Sequence, residues 1–155
     1  MSLVSRLGPV PGAVVGLIYG TFLLAPVFVC AQFGEGTYLP WVVSAAPLSV
    51  VFNALSTGPH SALMDLLVLA SAPLVWMLMG LLVCGRGRLT RRLGFPVVVI
   101  LHYVVGLFFL ASKEFGHIDK ALQYTPGALA GWVALYLLGH IALWYIYVLR
   151  ELDIP

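Results

Sequence analysis

Charge is scarce in this sequence. Only 9% of its 155 residues are Asp, Glu, Lys or Arg, while 61% are hydrophobic, and the mean hydropathy is +1.03. Ordinary soluble domains carry about a quarter charged residues. A water-facing surface cannot be assembled from so few, so hydrocarbon is expected to surround most of the chain. The net charge of +2 is also too small for the electrostatic footprint of a nucleic-acid-binding protein.

The short motifs of soluble enzymes are missing too. The sequence has no P-loop, no dinucleotide glycine fingerprint and no zinc-type Cys/His spacing. It offers no nucleophile–base pair that would mark a hydrolase. Cysteine is limited to Cys30 and Cys84. The topology derived below puts these at opposite membrane faces, about 30 Å apart. A disulfide needs Cα atoms within about 7 Å, so they are not expected to pair. Without a C-x-x-C, a quinone-linked disulfide oxidase of four helices is disfavoured despite the similar size.

What the sequence does have is apolar length. Four segments, about 10–33, 61–84, 95–112 and 127–149, approach or exceed the roughly 20 residues a spanning helix needs. Only the second contains a formal charge, Asp65. The first is longer than a usual signal core and is read as a retained anchor. The third is the shortest and is expected to extend at its C-terminal end. A fifth apolar stretch, about 40–56, is interrupted by Pro40 and Pro47, each of which removes a backbone donor. After Pro47, the residues Ser49, Asn53 and Ser56 share a helical face. That pattern predicts an interfacial or re-entrant helix between the first and second spans. Five full spans is the alternative.

Arginine clustering sets the expected orientation. "GRGRLTRR" supplies Arg86, Arg88, Arg91 and Arg92, which places the 85–94 loop in the cytoplasm. With four spans, Arg6 and Arg150 fall on the same side, and Lys113 and Lys120 lie outside. With five, the N-terminus and Arg6 move out. Tyr38 and Trp41 would flank the outer surface, and Trp144, Tyr145 and Tyr147 the inner one. The fold class read from these patterns is an all-α membrane protein. It is a four-helix transmembrane bundle with the additional helix, in a single polytopic domain spanning 1–155. A bacterial inner (plasma) membrane is the expected location, with both termini and the 85–94 loop cytoplasmic.

Lipid tails are as apolar as leucine, so small residues must bring such helices together. Gly12, Gly16 and Gly20 recur every four residues on the first span, and Gly127 and Gly131 on the fourth. Each face suits either packing within this bundle or docking on another membrane protein.

The few polar residues inside the spans carry the functional alternatives. His102 and His140 fall about 10 Å and 13 Å from the same membrane face, on antiparallel helices. Gly106 lies on the His102 face and Gly139 adjoins His140. The pair therefore reads either as axial ligands of a b-type haem or as polar contacts to hydroxyls and carbonyls of neighbouring helices. Tyr103, Tyr136 and Tyr145 are available for the second role. Asp65, about one turn below the outer end, is a candidate ion or proton site, or an interfacial residue that reaches water. His60 and His117, with Glu114 and Asp119, read as solvated loop residues, and no metal site is expected. The four loop arginines are candidates for lipid headgroup contact, or simply fix orientation. Met64, Trp76, Met77 and Met79 read as packing residues.

The leading functional expectation is a small integral-membrane subunit that stabilises or regulates a larger membrane complex. A b-type cytochrome or quinone-linked electron-transfer subunit using His102 and His140 is the alternative. A small channel or transporter using Asp65 is a further one. The expected partners are the lipid bilayer and other integral membrane proteins, or a second copy of the chain, and not nucleic acid.

Overall fold

The computed structural model describes residues 8–25, 43–48, 51, 62–111 and 126–152. All regular structure among the described residues is helical. Helix α1 spans Pro9–Phe22, α2 Ala62–Val83, α3 Phe95–Ala111 and α4 Pro126–Leu152. Two helical stretches are long and apolar enough to cross a membrane, Thr90–Phe108 and Pro126–Leu152. The apolar stretches Pro9–Phe22 and Ala70–Val83 are shorter than that.

Proline sets two of the starts. Pro9 opens α1 after an extended Gly8, and Pro126 opens α4. At the first helical position the missing N–H is no loss, because that donor has no partner within the helix. Pro73 sits inside α2, where its ring removes one backbone hydrogen bond. Pro26 and Pro40 lie outside the described residues.

The third element differs from its expected form. It continues N-terminally, where a π-helical turn, Thr90–Gly94, runs directly into α3; the expected C-terminal extension lies outside the described residues. Arg91 and Arg92 are therefore helical residues, and the α2–α3 connection is reduced to residues 84–87. The physical reason lies across the fold at the end of α4. The Glu151 carboxylate receives Arg91 Nε at 2.8 Å and also Arg92 Nε, so both guanidinia are drawn onto a helical surface. Arg91 is buried and also donates to the Gly85 carbonyl at 3.3 Å, tying the connection to the same point.

α1 lies along α2 with backbones nearly touching. A Cβ at Gly16 would lie 2.1 Å from the Trp76 carbonyl oxygen, and one at Gly12 would lie 2.5 Å from that of Gly80. At Gly20 the obstacle is Pro73 Cα, at 2.7 Å. The first glycine face is thus filled by this chain's own α2. Gly127 and Gly131 stand differently: among the described residues, nothing lies within 4 Å of a Cβ at either.

The core is aromatic-rich. Trp76, Phe95, Met79 and Val99 are almost fully buried where α2, α3 and α4 meet. Phe95 stacks on Tyr147 and meets Trp144 edge-on, with centroids 5.1 and 5.3 Å apart. Trp144 and Tyr147 thus pack against Phe95 and are only partly accessible, whereas Tyr145 is exposed. The outward faces of α3 and α4 are apolar: Val104, Leu107 and Phe108 on one and Leu138 and Ile141 on the other are exposed.

Candidate functional site

The polar centre of the molecule is built on His102, His140, Tyr136 and a short piece of chain in which helix is interrupted by a turn. That piece, residues 43–48, is buried deeply, with Ser44, Ala45 and Ala46 fully inaccessible. Val43 and Ser44 on one side and Leu48 on the other are helical, and between them residues 45–47 form a turn with a cis Ala46–Pro47 peptide bond. Irregular backbone leaves carbonyls and amides without helical partners, and burying them unpaired is costly. Side chains supply what the missing helix does not. His102 Nδ1 lies 2.6 Å from the Ala46 carbonyl oxygen, and Trp132 Nε1 donates to Ser44 Oγ at 2.8 Å.

These contacts fix the proton on His102. A carbonyl only accepts, so Nδ1 carries the hydrogen and donates it to Ala46. The ring's Nε2 then accepts from the Tyr136 hydroxyl at 2.7 Å. One helical turn further along α4, His140 Nδ1 donates to the Tyr136 carbonyl at 2.8 Å. Among the described residues, neither the buried His140 Nε2 nor Trp76 Nε1 in the adjoining ring has a hydrogen-bond partner.

The two imidazoles do lie side by side. Their centroids are 5.3 Å apart and their planes are tilted by 23°, so they stack face to face. Axial ligands of a haem instead point their nitrogens at one iron from opposite sides of a porphyrin. Both nitrogens of His102 are engaged with protein, and the gap between the rings has no room for a macrocycle. His140 is enclosed by Tyr136 at 4.3 Å, Trp76 at 4.7 Å and Tyr103 at 5.0 Å. The neighbouring glycines provide no space either. At Gly139 Tyr19 and Trp76 fill the room, and the space beside Gly106 lies on the far side of Val43, Tyr103 and Tyr136 and not between the rings. The residues present do not fit a porphyrin. They do make the polar contacts to a neighbouring hydroxyl and carbonyl that the sequence offered as the other reading.

Other candidates fall in different places. Asp65 belongs to α2, in its first turn, remote in sequence from the histidine cluster. Arg86 and Arg88 are exposed, with no hydrogen bond or ion pair to the described residues, while Arg91 and Arg92 are held by Glu151. The headgroup reading of the four arginines therefore divides into two exposed and two engaged side chains. Gly12, Gly16 and Gly20 belong to the α1–α2 seam, and Gly127 and Gly131 to the open face of α4. Cys84 is a buried free thiol against α1, touched by the Arg150 guanidinium. Cys30, Asn53, Ser49, Ser56, His60, His117, Tyr38 and Trp41 lie outside the described residues, as does most of the expected 40–56 helix.

Three participants carry no strong sequence signal. The Ala46 carbonyl is backbone, Ser44 is an ordinary serine, and Glu151 lies past the apolar run. A hint for the first was Pro47, which breaks the helix just after Ala46 and exposes its surroundings. Among the described residues no group of three or more His, Cys, Asp or Glu side chains is placed to hold a metal. Comparison with known protein families, with characterised proteins and with solved structures found no match to this chain, so the function must be argued from the site itself.

Proposed function

We propose that this chain is a small integral-membrane subunit: a four-span helical bundle with a re-entrant segment at 43–48 that associates with another membrane protein. The reading is supported first by the surface. Side chains such as Phe108 and Ile141, 71% and 64% exposed, suit hydrocarbon and not water. It is supported next by how the polar residues are used. His102, Tyr136 and Trp132 are occupied in holding a piece of irregular backbone inside the bundle, the one setting in which a membrane tolerates such backbone.

The observation that carries the partner is the contrast between the two glycine faces. The α1 face is closed by α2 at backbone distance, whereas no described residue comes within 4 Å of a Cβ at Gly127 or Gly131 on α4. Close helix approach in a bilayer relies on such small residues. The test is native mass spectrometry after extraction of the full chain in polymer-bounded lipid discs. A stoichiometric membrane partner, or a second copy, is expected to co-purify. It should be lost in Gly127→Leu/Gly131→Leu while the helical content is kept. A lone monomer under these conditions overturns the proposal.

A further inference from the structure

An apolar groove of about 380 Å³ runs lengthwise between α1, α2 and α4. Val15, Gly16, Gly80, Leu138, Ala142 and Ile146 are among its walls. Gly16, Gly80 and Gly139 contribute backbone to its walls, at points where a Cβ would run into the neighbouring helix or ring. One end is closed by Tyr19, whose hydroxyl donates to the Leu135 carbonyl. The other end is marked by Gly12 and Cys84, at the C-terminus of α2.

The chain changes character at that second end. Two residues beyond Cys84 comes Arg86, then Arg88, both exposed. The Arg150 guanidinium reaches Cys84 itself. Among the described residues, five arginines (86, 88, 91, 92 and 150) gather here against one carboxylate, Glu151. That carboxylate is already shared by Arg91 and Arg92. Between the arginines, Leu89 and Leu93 are 73% and 60% exposed. Guanidinium forks beside protruding leucines form an amphipathic rim, with the forks suited to phosphate and the leucines to the top of an acyl layer.

We infer that this groove and rim together bind one anionic phospholipid, with an acyl chain along the groove between α1 and α4 and the phosphate at Arg86 and Arg88. The inference rests on the membrane reading above. It adds a ligand class and assigns separate work to the arginines: 86 and 88 hold the lipid, while 91 and 92 hold Glu151. Charge selects the head and apolar shape selects the tail, so neither a zwitterionic lipid nor a soluble phosphate satisfies both parts.

The experiment is lipid titration of the full-length protein in mild detergent, read by native mass spectrometry, with phosphatidylglycerol and phosphatidylcholine of matched chains. Phosphatidylglycerol is expected to bind more tightly. Arg86→Gln/Arg88→Gln should weaken it about ten- to thirty-fold, since each basic residue near a phosphate surface contributes on the order of 1 kcal/mol. Ala142→Phe, which fills the groove without changing charge, should weaken both lipids, and both variants should keep the wild-type thermal midpoint. Equal affinity for the two lipids, or no effect of either variant, overturns this inference alone. Displacement of the lipid by millimolar inorganic phosphate also overturns it, by showing that the head chemistry suffices. Recovery of the protein from the soluble fraction of lysed cells overturns the membrane reading as well.

Discussion

His102 Nδ1 and the Ala46 carbonyl oxygen lie 2.6 Å apart, joining α3 to a turn 56 residues earlier in the chain. The imidazole in the apolar run of α3 thus completes the hydrogen bonding of backbone that no helix completes.

Replacing that imidazole should loosen the segment. In His102→Leu, the buried Ala46 carbonyl and the Tyr136 hydroxyl both lose a partner. Each orphaned group costs about 1–3 kcal/mol. The thermal midpoint should fall, and a cysteine placed at Ser44 should react faster with a membrane-permeant thiol reagent than in the wild-type background. Unchanged labelling would show that the segment does not depend on His102.

The tautomer can be checked directly. Nitrogen-15 spectra of histidine-labelled protein should show His102 protonated at Nδ1 with a lone pair on Nε2. Tyr136→Phe should shift the Nε2 signal and leave Nδ1 nearly unchanged. A ring protonated at Nε2 instead would contradict the bond to Ala46.

Trp132 and His102 hold neighbouring positions of one segment, Ser44 and Ala46, so the two anchors should act together. Trp132→Phe removes the indole donor to Ser44 and should cost about 1 kcal/mol by itself. Combined with His102→Leu, a coupling of about 0.5–3 kcal/mol is expected in a double-mutant cycle. Strict additivity would mean the two anchors hold independent pieces.

Glycine substitutions should divide by position. Gly16→Ala forces a methyl against the Trp76 carbonyl and should destabilise by about 1–3 kcal/mol. Gly131→Ala meets nothing in the isolated chain and should be neutral, or stabilising by up to about 1 kcal/mol through helix propensity. Unfolding of the purified chain in mixed micelles distinguishes the two. Equal effects would remove the contrast between the α1 and α4 faces.

The ion-pair cluster should be asymmetric. Glu151→Gln removes the partner of the buried Arg91 and should cost about 1–2 kcal/mol, less than for a fully dry pair because Glu151 is partly solvated. Arg92→Gln should cost a few tenths, since the Arg92 side chain is 45% exposed. If the two are equally costly in thermal unfolding, Arg91 is not the inner anchor.

The sequence made some of this legible and hid the rest for physical reasons. Hydropathy located the helices, because apolar length is local information. Antiparallel depth brought His102 and His140 together, as their 5.3 Å centroid separation bears out. Whether the rings would point at a shared iron or stack was not readable, because that depends on helix rotation and on Tyr136 and Trp76 from two other turns. The burial of 43–48 was only partly foreseeable. Pro47 marks broken backbone, but its depth is set by the donors of Trp132 and His102, 88 and 56 residues away. The helical continuation of α3 back to Thr90 was not foreseen, because arginines suggest a loop. Their pairing with Glu151 is a tertiary contact that favours the helical form.

The π turn at Thr90–Gly94 packs one more residue into its coil than an α-helix would. Each residue of a helix advances the angular phase by about 100°. The extra residue therefore sets the rotation of α3 relative to the clamp that Arg91 and Glu151 make at its base. Deleting a single amino acid within 90–94 would relax the coil and turn the azimuth of one end against the other. Either the clamp would release or His102 would swing away from Ala46, so the length of this turn should tolerate change less well than its side chains.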